Sequence, residues 1–149
     1  MAMKVTEALV AEHVVFHSLF DHLEAVLPRL KTLAEVKALA ELLAFQLEAH
    51  SRVEDVLIIE PLEHCFEQLG QTETMSQEHE EIDRGLTQVG KSRSLKEARR
   101  LLLQAVLFSR NHFDREERVI FPMAEKLLKG KTLTALGESW AEKRKAIVA

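Results

Sequence analysis

Six residues in four segments of this 149-residue chain have the side-chain types that hold metal ions: His13, then His50 with Glu54, then His79, then His112 with Glu116. In each His-x-x-x-Glu pair the carboxylate follows the imidazole by four residues, which on an α-helix puts both on one face. Imidazole and carboxylate donors suit iron, manganese and zinc, and four imidazoles with two carboxylates are what a bridged pair of ions in a bundle core requires. With seven His and 24 acidic residues, one such pair is expected by chance. The order is not: one His, a pair, one His, a pair, each in its own amphipathic segment.

Apolar spacing identifies the elements that must position these residues. Leu9, Val10, Phe16, Phe20, Leu23 and Leu27 recur at intervals of three and four and predict a helix from about residue 3 to Pro28. Thr32 with Glu35 forms a capping-box pattern ahead of Val36, Leu39, Leu43, Leu47, Val53 and Leu57, a longer second helix that Pro61 kinks or ends. Gly70, then Thr74 with Gln77, restarts a short third helix with Met75, Ile82, Leu86 and Val89 on one stripe. Ser94 with Glu97 caps a fourth helix carrying Leu101, Leu102, Ala105, Phe108, Val119 and Ile120, kinked near Pro122 and stopped at Gly130. Leu133, Leu136 and Trp140 mark a short amphipathic helix over about residues 132–147. Its tryptophan is expected to pack over one end of the bundle or to form a dimer contact.

Short connections between amphipathic helices give an all-α, up-down-up-down antiparallel four-helix bundle over about residues 3–130 with a short C-terminal helix, in one domain spanning 1–149. The segments "HSRVE" and "HFDRE", each preceded by a lone histidine, make the chain read as a duplicated helical hairpin. His13 shares a helix face with Leu9, Val10, Phe16 and Phe20; His50 with Leu43, Leu47, Val53 and Leu57; His79 with Met75, Ile82 and Leu86; His112 with Ala105, Phe108 and Val119. All four imidazoles and both carboxylates therefore point inward. Unpaired buried carboxylates cost several kcal/mol, so ions are the expected partners. Counted from the first turn, His13 and His50 lie at similar depths. His79 and His112 do not, and their helices must be staggered by about 10 Å, with the loop absorbing the difference.

A net charge of −4, mixed in sign along the chain, provides no electrostatic footprint for nucleic acid or an anionic membrane. The single cysteine, Cys65, excludes an internal disulfide, and together with the lack of a membrane-length apolar run it points to a cytoplasmic protein. His64 beside it makes a pair with weak metal-binding character. His17, one turn after His13, is a candidate for a fifth imidazole ligand or for core packing. Asp83, one turn after His79, is a candidate either to ligate or to hold an imidazole by a hydrogen bond. His22 lies off the inward face.

The order and spacing of His13, His50 with Glu54, His79, and His112 with Glu116, and the local text "EHVVFHSLF", "HSRVEDVLIIEP", "QEHEEID" and "HFDREERVIFP", resemble the hemerythrin-like, or HHE cation-binding, family. The resemblance covers about residues 6–128, and "LGESWAEKRKA" is similar to the tail of many members. It implies a four-helix bundle around a carboxylate-bridged di-iron centre, with the four histidines as terminal ligands and Glu54 and Glu116 as bridges. The roles it implies are oxygen binding or sensing, iron handling, and responses to nitric oxide or peroxide. The chain departs from the oxygen-carrying members at two points. Asp83 stands where they have a second histidine on the third helix, and the last carboxylate follows its histidine by four residues instead of five.

The leading expectation is a non-haem di-iron protein that binds, senses or reacts with dioxygen or a related small oxidant, in a pocket walled by Phe16, Phe20, Phe108 and leucines. Zinc and manganese suit the same donors. A second reading is an enzyme of iron handling or of the peroxide or nitric oxide response. A third is a partner-binding bundle with a structural metal, which expects an exposed apolar patch around Trp140.

Overall fold

Capping side chains start two of the long helices where the sequence pattern puts them. Thr32 Oγ1 accepts from the Glu35 N–H at 3.2 Å while the Glu35 carboxylate accepts from the Thr32 N–H, and Ser94 Oγ accepts from the Glu97 N–H at 3.0 Å. The computed structural model describes residues 2–65 and 69–148, and among these every regular element is helical. Helix α1 spans Val5–Val26 and is extended by a 3₁₀ turn over Leu27–Arg29; α2 spans Leu33–Glu54, α3 Glu60–Glu63, α4 Gln71–Lys91, α5 Leu95–Arg115, α6 Phe121–Leu127 and α7 Gly130–Val148. The expected helical bundle is present, with three corrections to its elements.

The third long helix, α4, is not short: it has 21 residues and begins at Gln71, a turn before Thr74. The chain enters it through Leu69 and Gly70 at φ 51° and 77°. Glycine supplies that left-handed step without a Cβ penalty. Gly130 does not stop a helix but begins α7, which has 19 residues.

Neither proline ends its helix. Ahead of Pro61 and Pro122 the backbone widens into a π-turn, over Asp55–Ile59 and Glu116–Ile120, where the N–H groups of Glu60 and Phe121 reach back five residues to the carbonyls of Asp55 and Glu116. A proline in a regular helix leaves the carbonyl four residues back without a donor and presses its ring on it. The wider turn makes room, and α3 and α6 then continue with proline in their first turn.

The depth mismatch is taken up by overhang, not by a long loop. His79 and His112 meet with ring centroids 4.8 Å apart although His112 lies farther from the turn at residues 92–94. The first turns of α5 run past the end of α4 against the 3₁₀ turn at Leu27–Arg29, where Arg99 donates to the Leu30 carbonyl.

The core has two apolar clusters. One, toward the hairpin turns, includes Phe16, Phe20, Leu23, Leu43, Leu47, Ile82, Leu86, Leu102 and Phe113. The other includes Val5, Leu9, Val53, Leu57, Ile58, Met75, Ile120, Phe121 and Leu133. On each of α1, α2, α4 and α5 the inward histidine sits at the boundary between them.

Helix α7 lies along α1 and reaches the first π-turn. The approach is close at Gly137, where a Cβ would meet the Met3 carbonyl oxygen at 1.7 Å. Trp140 does not pack over an end of the bundle as expected. It packs at the side, partly buried against the second cluster.

Candidate metal centre

At the boundary between the clusters, six side chains from four helices converge. His13 comes from α1, His50 and Glu54 from α2, His79 from α4, His112 from α5 and Glu116 from the π-turn after α5; all are buried, His79 being the most accessible at 8 %. Their donor atoms form two groups, His13, His50, Glu54 and Glu116, and Glu54, His79, His112 and Glu116, within each of which the atoms lie inside 4.8 Å of one another. The Glu54 carboxylate is 3.3 Å from His50 Nε2 and 3.2 Å from His79 Nε2. Glu116 is 3.4 Å from His13 Nε2 and 3.2 Å from His112 Nε2. Each hairpin thus contributes a pair of imidazoles, and both carboxylates are common to the two groups.

The arrangement makes poor sense as a hydrogen-bonded core. Both oxygens of Glu54, both of Glu116, and the Nε2 atoms of His79 and His112 have no hydrogen-bond partner. His13 Nε2 and His50 Nε2 face each other at 3.2 Å. Buried polar atoms are nearly always paired, and the exceptions mark strain, function or an ion. The donor set and its orphaned lone pairs fit two cations.

Four outer carboxylates surround this layer, one on the Nδ1 side of each imidazole. Glu12 is 2.7 Å from His50 Nδ1, Asp55 3.2 Å from His79 Nδ1, Glu78 3.3 Å from His112 Nδ1 and Glu117 3.5 Å from His13 Nδ1. Glu12 hydrogen-bonds His50 Nδ1 and fixes that ring with Nε2 inward, while the other three carboxylates stand at ion-pair distance from their imidazoles. The four follow the duplication: Glu12 and Glu78 immediately precede His13 and His79, and Asp55 and Glu117 immediately follow Glu54 and Glu116. Sequence reading missed all four, and the repeated Glu-His and Glu-Asp/Glu doublets were the signal that could have found them.

Charge and burial pull against each other here. Burial opposes the charged imidazole of His50, but Glu54 and Glu12 outweigh it and raise its pKa to about 10. At His79 burial is likewise overcome by Asp55 and Glu54, to about 10, and at His112 by Glu116 and Glu78, to about 9. His13 is raised for the same reason by Glu116 and Glu54. Glu54, although burial disfavours its charge, is held well below the usual carboxylate range by His50, His13 and His79. A layer this densely ionised in a dry core is a site built for positive charge.

The wall differs in one residue from expectation. Phe108 is 37 % exposed and faces outward, as does Val119. Phe113 takes the inner place, stacked on the His13 ring at 3.9 Å with planes 6° apart, and Phe16 meets the His50 ring edge-on at 5.3 Å. His17 and Asp83 join neither group. His17 Nδ1 is 3.0 Å from Arg110, which also binds Asp21 and Glu24, and Asp83 is exposed; Asp55 occupies the Nδ1 side of His79. His22 and His64 are exposed, and Cys65 sits with its Sγ near the Pro61 carbonyl, away from both groups.

A helical bundle that closes two interlocked His/Glu groups in its core defines a class of metal-binding four-helix proteins. The family model of the hemerythrin HHE cation-binding domain matches residues 4–124, and again 71–143, and the chain belongs to that family. No curated protein and no solved structure matches the chain. Among the described residues no helix is long and apolar enough to cross a membrane.

Proposed function

We propose that the protein holds a carboxylate-bridged pair of iron ions and uses it to bind, sense or react with dioxygen or a related small oxidant. His13 and His50 are the terminal ligands of one ion and His79 and His112 of the other, with Glu54 and Glu116 bridging both. The observation that carries this reading is the set of orphaned inner atoms, both oxygens of Glu54 and of Glu116 and the Nε2 atoms of His79 and His112, converging with His13 and His50 in one buried layer. Two imidazoles and two shared carboxylates give each ion four protein donors. Four complete a tetrahedral zinc site, whereas octahedral iron or manganese keeps open positions.

When bound, such an ion pair supplies electrons and exchangeable positions for a small ligand. The chain's own part is to orient and exclude. Glu12 holds the His50 Nδ1–H so that its Nε2 points inward, and Asp55, Glu78 and Glu117 lie at ion-pair distance from the Nδ1 atoms of His79, His112 and His13. Phe113 and Phe16 cover the layer on the side of the hairpin turns and keep bulk water from it. A groove of about 340 Å³ beside α1 and α2, walled mainly by Val15, Phe16, Leu19, Phe45 and Ala49 together with Gln46 and Arg144, takes in Glu12 and His50. Its mostly apolar wall suits a small neutral ligand better than a charged substrate.

The expected patch around Trp140 lends no support to the partner-binding reading, because that indole is packed and its N–H is engaged by Glu12. Elemental analysis of the purified protein, with optical spectra before and after oxygen and azide, tests the proposal. About two irons per chain and charge-transfer bands that respond to azide are expected. A closed zinc site, silent to azide, would replace it with a structural role for the metal.

A further inference from the structure

The two halves of the centre are braced differently. In the second hairpin, the Glu78 carboxylate behind His112 is held from its own side: Arg115, three residues after His112, donates Nε to it at 2.7 Å and Nη1 to Gln71 at 2.8 Å. The equivalent place in the first hairpin, three residues after His50, is Val53, which is buried and apolar. Nothing within α1 or α2 supplies the cation that Glu12 lacks there. It comes from α7. Arg144 donates Nε and Nη2 to the Glu12 carboxylate at 2.5 and 2.8 Å, and Trp140 donates Nε1 to it at 2.7 Å. Glu12 passes the constraint to His50 Nδ1 at 2.7 Å, the shortest of the four outer contacts.

We infer that α7 is a clamp for one metal position only. Arg144 and Trp140 are positioning residues that act through Glu12 on His50, and they set the affinity of the ion held by His13 and His50 while leaving the ion held by His79 and His112 to the Arg115–Glu78 brace. The inference rests on the two-ion ligand assignment proposed above. A bidentate guanidinium–carboxylate pair fixes both carboxylate oxygens at once, and an indole N–H adds a third direction. Freed from them, Glu12 swings on a side chain with several rotatable bonds, and the His50 ring loses its fixed orientation. Loss of the carboxylate's hold on a ligating imidazole weakens metal binding by roughly 10- to 100-fold. Because the clamp residues reach the centre from a separate helix, they tune one position without touching a ligand of the other.

The full chain provides the test. Cobalt(II) titration by calorimetry is run on the unaltered protein and in two backgrounds, His79→Ala, which disables the second position, and His13→Ala, which disables the first. Arg144→Gln, and separately Trp140→Phe, are expected to weaken cobalt binding tenfold or more in the His79→Ala background and to leave it unchanged in the His13→Ala background. Arg115→Gln should do the reverse. Trp140→Phe keeps the ring packing while removing the donor, so a loss of affinity with unchanged helical content and metal-free melting temperature separates clamping from folding. Equal effects in both backgrounds, or none in either, would overturn the clamp while leaving the dinuclear reading intact. Fewer than two cobalt ions on the unaltered protein would overturn both.

Discussion

At the scale of single residues, the inner layer is a contest between protons and metal for the same lone pairs. In the metal-free chain the raised imidazoles keep their protons in the folded form well above the ordinary value of 6.5, to about 10 for His50 and His79 and about 9 for His112. Their contribution to stability is therefore complete below about pH 6.5 and fades as pH rises through 9 to 10. Glu12, where His50 and Arg144 outweigh burial and hold the pKa at about 2, works oppositely: its contribution is present above about pH 4.5 and is lost as pH falls toward 2. Metal must displace the imidazole protons and so binds more tightly as pH rises. Melting curves of chelated and metal-loaded protein should thus diverge between pH 6.5 and 9, with the chelated form losing stability; parallel curves would show that metal does not compete for these nitrogens. The double substitution His50→Ala with His112→Ala is expected to remove most bound metal by elemental analysis, since it takes one imidazole from each ion. The inner residues were legible in the sequence because their spacing is local to one helix face. The outer carboxylates were not, because each reaches a histidine on a different helix, and Phe113 was missed in favour of Phe108 because its place beside His112 belongs to another face of α5.

At the scale of elements, periodicity revealed which segments are helical but not how the prolines would be accommodated. A single-residue widening ahead of Pro61 and Pro122 has no signature in a pattern of apolar spacing, and it occurs beside Glu54 and at Glu116, where the backbone sets the reach of both shared carboxylates. The start of α4 was displaced because Thr74 and Gln77 imitate a capping box, whereas the left-handed Gly70 begins the helix a turn earlier. The closeness of α7 to the amino-terminal segment was likewise invisible, since it depends on a residue that lacks a side chain. Gly137→Ala forces a methyl group into the Met3 carbonyl, which is backbone and cannot rotate away. A loss of about 1–3 kcal/mol is expected from such overpacking. Thermal melting measures it, and a variant as stable as the parent would mean that α7 shifts on α1 at no cost.

At the scale of the whole molecule, the bundle was legible because four amphipathic segments joined by short turns have few ways to bury their stripes. Ions that bind only the folded chain add to its stability by mass action, so chelation should lower the melting temperature. The ionised layer has a consequence for how the chain comes apart. It separates the two apolar clusters, so that without cations they are joined across it by His–Glu ion pairs and the His13 ring instead of by apolar packing alone. The two are then expected to open as separate cooperative units, the second cluster at lower free energy than the first. Hydrogen exchange on the chelated protein should find amides around Val5–Leu9, α6 and α7 opening ahead of those around Leu43, Leu86 and Leu102, and metal should merge the two into a single transition. One ion pair would then set not only how stable the protein is but how many steps it takes to unfold.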